Sequence, residues 1–583
     1  MTFSLGTVVR PIALTLTTLL FESACTRAPD PADLLLVGGR VYTFTWPEPD
    51  REGRPSANAP HDSVGWRPDA QAIAIRGDRI VFVGPRVDAE AFHGTKTRVV
   101  DLAGATVLPG LIDSHVHLPE LGASLERVNL VGVQTEADAV ARVAERARTT
   151  PKGEWIVGWG WDEGAWANKY PDMRLLSERV PDHPVILRGL HTFAVWGNRL
   201  AFERAKITAA TPSPTGGEIK KDRRGQPTGI LVNNASALLT AALPAPTPSQ
   251  LSTRVLEALE ALAAAGYVSV HEAGADAALL ATLDQLKTAG QLSLPVYTML
   301  AARDPAVMNA WATRRPIIET GPLAIRSVKA FYDGAMGSRG ALFFEDYSDR
   351  PGHRGVGAKD YGFDRDRMAA MMRAGFQVVI HAIGDRGNRE ALDLFEAVMR
   401  AHPETKNTRP RIEHAQVVNP ADMPRFAALG VIASMQPSHA VEDMPWAEAR
   451  IGPERIKGAY AWRSLRRAGA RMAFNSDLPA TDYNIFYGLH SAVTRTDKEH
   501  QPSGGWRREE ALTIEEALRG WTSWAAYAEF REHETGTLVA TRRADITVVD
   551  IDPLQVAEKE PHKLLDGKVL MTIAGGKIVF RKQ

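Results

Sequence analysis

Eight short apolar segments recur through the middle of this chain, and helix-like stretches separate most of them. They are Thr106–His117, Tyr267–Glu272, Leu294–Leu300, Ile325–Tyr332, Phe376–His381, Arg411–His414, Val431–Gln436 and Arg471–Asp477. Ser252–Ala265 and Arg389–Ala401 are two of the intervening helices, and Thr513-Ile-Glu-Glu516 is a capping box that opens a helix running to about Tyr527. Strand–helix alternation with right-handed crossovers gives a parallel sheet, and eight repeats close it into a (β/α)8 TIM barrel. A doubly wound sheet is the alternative, but no Gly-rich phosphate turn follows the first strand. The class is α/β.

The two ends of the chain are patterned differently. Asp33–Phe44 is predicted to be a hairpin turning at Gly38-Gly39, and Gln71–Gly84 another turning at Gly77-Asp78. Ala544–Asp550 and Val569–Phe580 repeat the style, with Gly575-Gly576 between strands. Neither end has enough strands to bury its own apolar face. Residues 31–105 and 534–583 are therefore expected to build one composite β-sandwich domain, which leaves 106–533 as the barrel. Residues 119–245 are too long for a barrel connection and hold Trp155, Trp159, Trp161, Trp166 and Trp196. They read as an inserted lobe whose tryptophans form either a substrate cap or the lobe's own core.

The first ten residues carry one positive charge, an apolar run from Pro11 to Phe21 follows, and Glu22-Ser-Ala-Cys25 ends it. That is the order of a secretory leader, too short to span a bilayer. Cys25 stands where a bacterial lipoprotein is cleaved and acylated, although Glu22 fills a position where such motifs carry Leu. Residues 1–30 are expected to be a leader, and the protein to be exported, periplasmic or anchored to the membrane through lipid on Cys25.

Composition narrows the chemistry. Cys25 is the single cysteine, so disulfides within the chain and CxxC sites are excluded. Lys+Arg and Asp+Glu both total 69, which leaves no basic excess for a nucleic-acid backbone. Any metal must be held by histidines and carboxylates. His115-Val-His117 ends the first strand, and residues i and i+2 of a strand share a face, so both imidazoles can address one metal. His381, His414 and Asp477 end the fifth, sixth and eighth strands, and Lys329 lies within the fourth. All sit at or near the C-terminal strand ends, where barrel enzymes assemble their sites.

Five motifs carry these residues: Leu108-Pro-Gly-Leu-Ile-Asp-Ser-His-Val-His117, Val328-Lys-Ala-Phe-Tyr-Asp-Gly-Ala-Met-Gly-Ser-Arg339, His381-Ala-Ile-Gly-Asp385, Arg411-Ile-Glu-His-Ala-Gln416 and Asn475-Ser-Asp-Leu-Pro479. In these motifs, and from about Asp33 to the end, the chain resembles the metal-dependent amidohydrolases, in the branch similar to N-substituted formamide deformylases. The resemblance implies a metal site of His115, His117, His381, His414 and Asp477. It also implies that Lys329, carboxylated by CO2, bridges two metals, and that His191 polarises the substrate carbonyl. A plain ion pair of Lys329 with Asp333 and a single metal is the rival. His271, Arg339 and Gln416 are expected to line the substrate pocket.

Residue chemistry supports the same reading. Neutral histidines suit zinc, and a divalent metal lowers the pKa of a bound water to about 7. Asp477 is suited to take that water's proton and pass it to the leaving nitrogen. The expected activity is hydrolysis of a non-peptide C–N bond, an amide or N-formyl group, by metal-bound hydroxide. Hydrolysis of a cyclic amide, ester or carbamate stays open, as does an exported metal-retaining binding protein without turnover. A small-molecule substrate is the expected partner, nucleic acid is not, and a homo-oligomer is left open.

Overall fold

The computed structural model describes residues 1–2, 29–161, 166, 170–189, 194–317 and 321–583. Cys25, with most of the expected leader, and His191 lie outside the described residues.

The barrel strands are β1 (Leu111–Val116), β2 (Tyr267–Ala275), β3 (Val296–Ala301), β4 (Leu323–Phe331), β5 (Gln377–Ala382), β6 (Arg411–His414), β7 (Ile432–Met435) and β8 (Arg471–Phe474). They pair in chain order and all in parallel. Parallel strands covered by helices are buried on both faces and read as unbroken apolar runs; β5 is buried at every residue. Between β8 and β1 the ring closes at its C-terminal rim. There Asp477 N donates to His115 O at 3.0 Å and His117 N to Leu478 O at 3.2 Å. Just below, the Asp113 carboxylate accepts from Ser476 N at 3.1 Å and Ser476 Oγ at 2.6 Å.

Two sheets make the β-sandwich. One has the order Arg79–Gly84, Ala72–Arg76, Leu34–Val37, Arg98–Asp101. The other joins both chain ends in the order Arg40–Val41, Thr106–Pro109, Ile546–Val549, Val569–Ala574, Lys577–Arg581. Leu36, Ile73, Val107, Ile546 and Ile573 belong to the core that the two sheets share. Two local expectations are corrected here. Leu34–Val37 and Arg40–Val41 do not form a hairpin, because the turn at Gly38, held at φ 68°, carries the chain from one sheet to the other. The expected strand Thr106–His117 is two strands broken at Gly110. A Cβ there would stand 2.5 Å from Val268 Cγ2 and 2.9 Å from the backbone carbon of Asp545, so the crossing from sandwich to barrel needs glycine.

The lobe after β1 holds a six-stranded sheet ordered Val128–Asn129, Ile156–Trp161, Val185–Gly189, Ala194–Gly197, Pro227–Asn233, Gly217–Lys221. Trp161, Trp166 and Trp196 are buried together in its core, whereas Trp159 is exposed. The helix opened by the Thr513 capping box ends at Gly520 rather than near Tyr527; a second helix, Ser523–Ala528, starts after Thr522 leaves helical geometry. Among the described residues no helix is long and apolar enough to cross a membrane.

Candidate active site

At the C-terminal mouth of the barrel lies a cavity of about 350 Å³ whose lining includes His115, His117, Lys329, His381, His414, His439 and Asp477. The alternation of β1 puts His115 and His117 on its inner side. Nε2 of each lies 3.4 Å from Oδ1 of Asp477. Asp477 sits at φ 55°, a left-handed conformation for a side chain that is not glycine, fixed by the closing bonds of the rim. Burial pushes its carboxyl pKa up, but His115, His117 and His414 outweigh this and hold it well below the usual carboxylate range.

His115 and His414 are each oriented by a partner behind them. His115 Nδ1 donates to Glu413 Oε2 at 2.5 Å, which turns Nε2 toward the cavity. Glu413 also accepts from Arg411 Nε at 2.9 Å and from Ser434 Oγ at 2.8 Å. Although burial raises its pKa, Arg411 and His115 pull Glu413 far below the ordinary value, so it stays ionised in the barrel interior. His414 Nδ1 donates to Gln436 Oε1 at 2.9 Å, and Gln436 Nε2 donates in turn to Asn475 Oδ1 at 2.6 Å. Burial, with Lys329 next, lowers the His115 pKa to about 3, and burial lowers that of His414 to about 4. Both are neutral bases at pH 7, as metal ligands must be.

His381 packs its ring 4.4 Å from that of His414. Its Nε2 is buried without a hydrogen-bond partner, and Asp333 Oδ1 stands 3.6 Å away. Lys329 is buried and its Nζ lies 3.0 Å from His115 Nε2, donating to it. Burial lowers its pKa to about 8. The expected rival pairing of Lys329 with Asp333 is not formed, because the Asp333 oxygens accept from the backbone N–H groups of Leu342, Ile383 and Gly384.

These groups fit a divalent cation of the kind bound by imidazole and carboxylate. His115, His117 and Asp477 each offer a ligand atom, all within 4.8 Å of one another, and His414, His439 and Asp477 form a second such set. His381 lines the same cavity but belongs to neither set, and its Nε2 lies beside Asp333 Oδ1.

Gln416 lines the cavity and donates to Asp443 Oδ2 at 3.1 Å. Two expected pocket residues do not line it. His271 is fully buried inside the barrel, where its Nδ1 accepts from Arg411 Nη1 at 3.0 Å; it stands too deep in β2 to reach the mouth. Arg339 spends its guanidinium on a two-pronged pair with Asp349, at 3.1 and 2.8 Å. Sequence reading passed over Arg411, Glu413 and His439. The first two carried a signal, opposite charges at i and i+2 inside an apolar strand. His439 had none, since it follows β7 on the helix Pro437–Asp443.

Fold and site together define a metal-dependent hydrolase barrel. The chain belongs to the amidohydrolase family, whose model matches residues 98–580. It is 30% identical over 571 residues to the protein LONG AFTER FAR-RED 3 of Arabidopsis thaliana, covering 94% of this chain and 92% of that one. It is 28% identical to the N-substituted formamide deformylase of Arthrobacter pascens over 88% of this chain and 95% of the relative. Among solved structures, a metal-dependent hydrolase from Pyrococcus furiosus superposes with a TM-score of 0.70 at 27% identity, covering 89% of this chain and 99% of that one.

Proposed function

We propose that this protein hydrolyses a non-peptide C–N bond, in an amide or N-formyl group, with a divalent metal that we take to be zinc. One observation carries the reading: the convergence of His115, His117 and Asp477 at the C-terminal mouth of a closed parallel barrel. The similarity to an N-substituted formamide deformylase favours the amide and N-formyl class. A divalent cation held by these side chains supplies a Lewis acid and makes water acidic enough, at a pKa of about 7, to attack at neutral pH. Asp477 then has the proton work. Its ionised carboxylate takes the proton from the attacking water and delivers it to the leaving nitrogen, which departs poorly as an anion. Glu413 and Gln436 keep His115 and His414 from turning. Gln416, at the wall, has its amide NH2 committed to Asp443 and Tyr460 and shapes the pocket without donating to the substrate. A carbamate on Lys329 is compatible with this reading and not required by it.

The test compares wild type with Asp477→Asn on formamides, linear amides, lactams, esters and carbamates, with metal content measured in both. Formamide or linear-amide hydrolysis is expected in wild type, falling by about 10² or more in the variant. Turnover of lactams, esters or carbamates alone would move the substrate class, and inertness of both proteins would make the chain a metal-retaining binder.

A further inference from the structure

Resting on the hydrolase reading above, we propose that Asp443 selects the substrate: its Oδ1 anchors a protonated amine carried a few bonds beyond the scissile C–N bond. Three segments build this wall of the cavity. Gln416 comes just after β6, Asp443 closes the helix Pro437–Asp443 that follows β7, and Tyr460 precedes the helix Trp462–Arg467. Tyr460 Oη donates to Asp443 Oδ2 at 2.5 Å. Gln416 Nε2 donates to the same oxygen at 3.1 Å and to Tyr460 Oη at 2.6 Å. Both hydrogens of the Gln416 amide and the one of the phenol are thereby spent inside the wall. A flipped Gln416 amide would set its carbonyl oxygen against the carboxylate, so the direction of these bonds is fixed.

What this wall offers the cavity is an acceptor. Asp443 lines the cavity, and its Oδ1 has no hydrogen-bond partner among the described residues and is not sealed from solvent. Tyr460, which holds the other oxygen, is itself fixed. It is 2% exposed, its N–H donates to Gln416 O at 2.7 Å, and its carbonyl accepts from Arg495 Nη1 at 3.0 Å. Burial and Asp443 raise its pKa well above 10, so the phenol keeps the proton that it donates. Burial also raises the Asp443 pKa, while His439, Tyr460 and Gln416 oppose it; a bound ammonium adds to that opposition. Among the described residues Lys329 is the one lysine or arginine that lines the cavity, and it donates to His115. A carboxylate on the substrate would therefore meet no free side-chain cation there. Asp443 stands one helical turn, about 5.4 Å, from His439, so a group bound to it lies beyond the scissile bond rather than on it. A charged N–H donor makes the stronger bond to a carboxylate, and an oxygen held in advance accepts it without rearrangement.

The test reads kcat/KM on N-alkylformamides that differ only in the tail: plain alkyl, or the same chain ending in ammonium, trimethylammonium or carboxylate. Wild type is expected to prefer the ammonium tail over plain alkyl by at least about 10-fold. Trimethylammonium, a charge without an N–H, is expected to lose most of that preference, and carboxylate to be the poorest. Asp443→Asn should bring the ammonium-to-alkyl ratio near unity, and Tyr460→Phe should lower it by raising KM for the ammonium substrate. Each ratio is taken within one protein, so a general loss of activity cancels. A wild type without preference, one that favours carboxylate or treats both cations alike, or a ratio that survives Asp443→Asn would overturn the anchor and leave the hydrolase reading standing. If wild type turns over none of the four, the hydrolase reading falls, and calorimetry with n-butylammonium decides the anchor. Wild type is then expected to bind it at least about 10-fold more tightly than Asp443→Asn, and equal affinity would overturn the proposal. Because the preference is read first on wild type, an Asp443 variant that fails to fold does not remove the test.

Discussion

Glu413 Oε2 lies 2.5 Å from Nδ1 of His115, and the two side chains are 0% and 1% exposed. A buried carboxylate at this spot fixes which imidazole nitrogen faces the cavity, and Arg411 supplies the charge that lets it stay ionised there. Replacing Glu413 by Gln should therefore act twice. Metal affinity, measured by competition with a chelator, is expected to fall about 10–100-fold because the imidazole loses its anionic partner. Unfolding free energy in urea is expected to fall by about 3–5 kcal/mol because Arg411 is left uncompensated. An unchanged affinity would mean that packing alone orients His115.

His490 gives the fold a dependence on pH away from the site. It is buried on the helix Ile485–Thr494, its ring 5.6 Å from that of His500. Burial first, then His500, lowers its pKa from 6.5 to about 4. Between those two values the unfolded chain binds a proton that the folded chain refuses, so stability falls as pH falls through that window and is fully present above it. His490→Gln should lose less stability than wild type between neutral pH and about pH 4, by as much as about 3 kcal/mol. Parallel urea-unfolding curves for the two proteins across that range would contradict it.

Removal of the last 50 or so residues should collapse more than the C-terminus. Ile546–Val549 sits between Thr106–Pro109 and Val569–Ala574, and its loss strips the inner edge from a strand that leads directly into β1. Limited proteolysis of the truncated chain is expected to cut within residues 31–105 as well. A soluble, metal-loaded, active truncation product would show that the two ends fold separately.

Export is a proposal that one mass measurement decides. The charged start, the apolar run and Cys25 lead us to expect a mature N-terminus near residue 25 in protein isolated from its native host. A lipid mass on Cys25 would add the anchor; a mature start elsewhere would remove the anchor alone, and an intact Met1 or Thr2 would end the proposal.

The barrel was legible because strands buried on both faces leave unbroken apolar runs, and the residues that end those runs are the ones with chemistry. What sequence could not carry was set by distant contacts. Pro109-Gly110 marks a break in the run from Thr106 to His117, but it takes the approach of Val268 and Asp545 to Gly110 to show that the two halves belong to different sheets. A Gly-Gly pair announces a turn, yet the turn at Gly38 links strands of different sheets because each edge finds its partner elsewhere. His271 has the right residue type on the right strand, but depth within β2 decides that it meets Arg411 and not the mouth. Arg411 and Glu413 were readable and overlooked, being bracketed by the more conspicuous His414.

The seam between β1 and β8 joins residues that are 363 positions apart. A chain emerging from the ribosome carries the imidazoles of His115 and His117 through most of its synthesis with no Asp477 to meet them, and the ring stays open until β8 arrives. Tight ion capture therefore comes last. The completed centre is a chemical receipt for the whole barrel, and an unfinished or truncated chain competes poorly for the metal that its finished sibling holds.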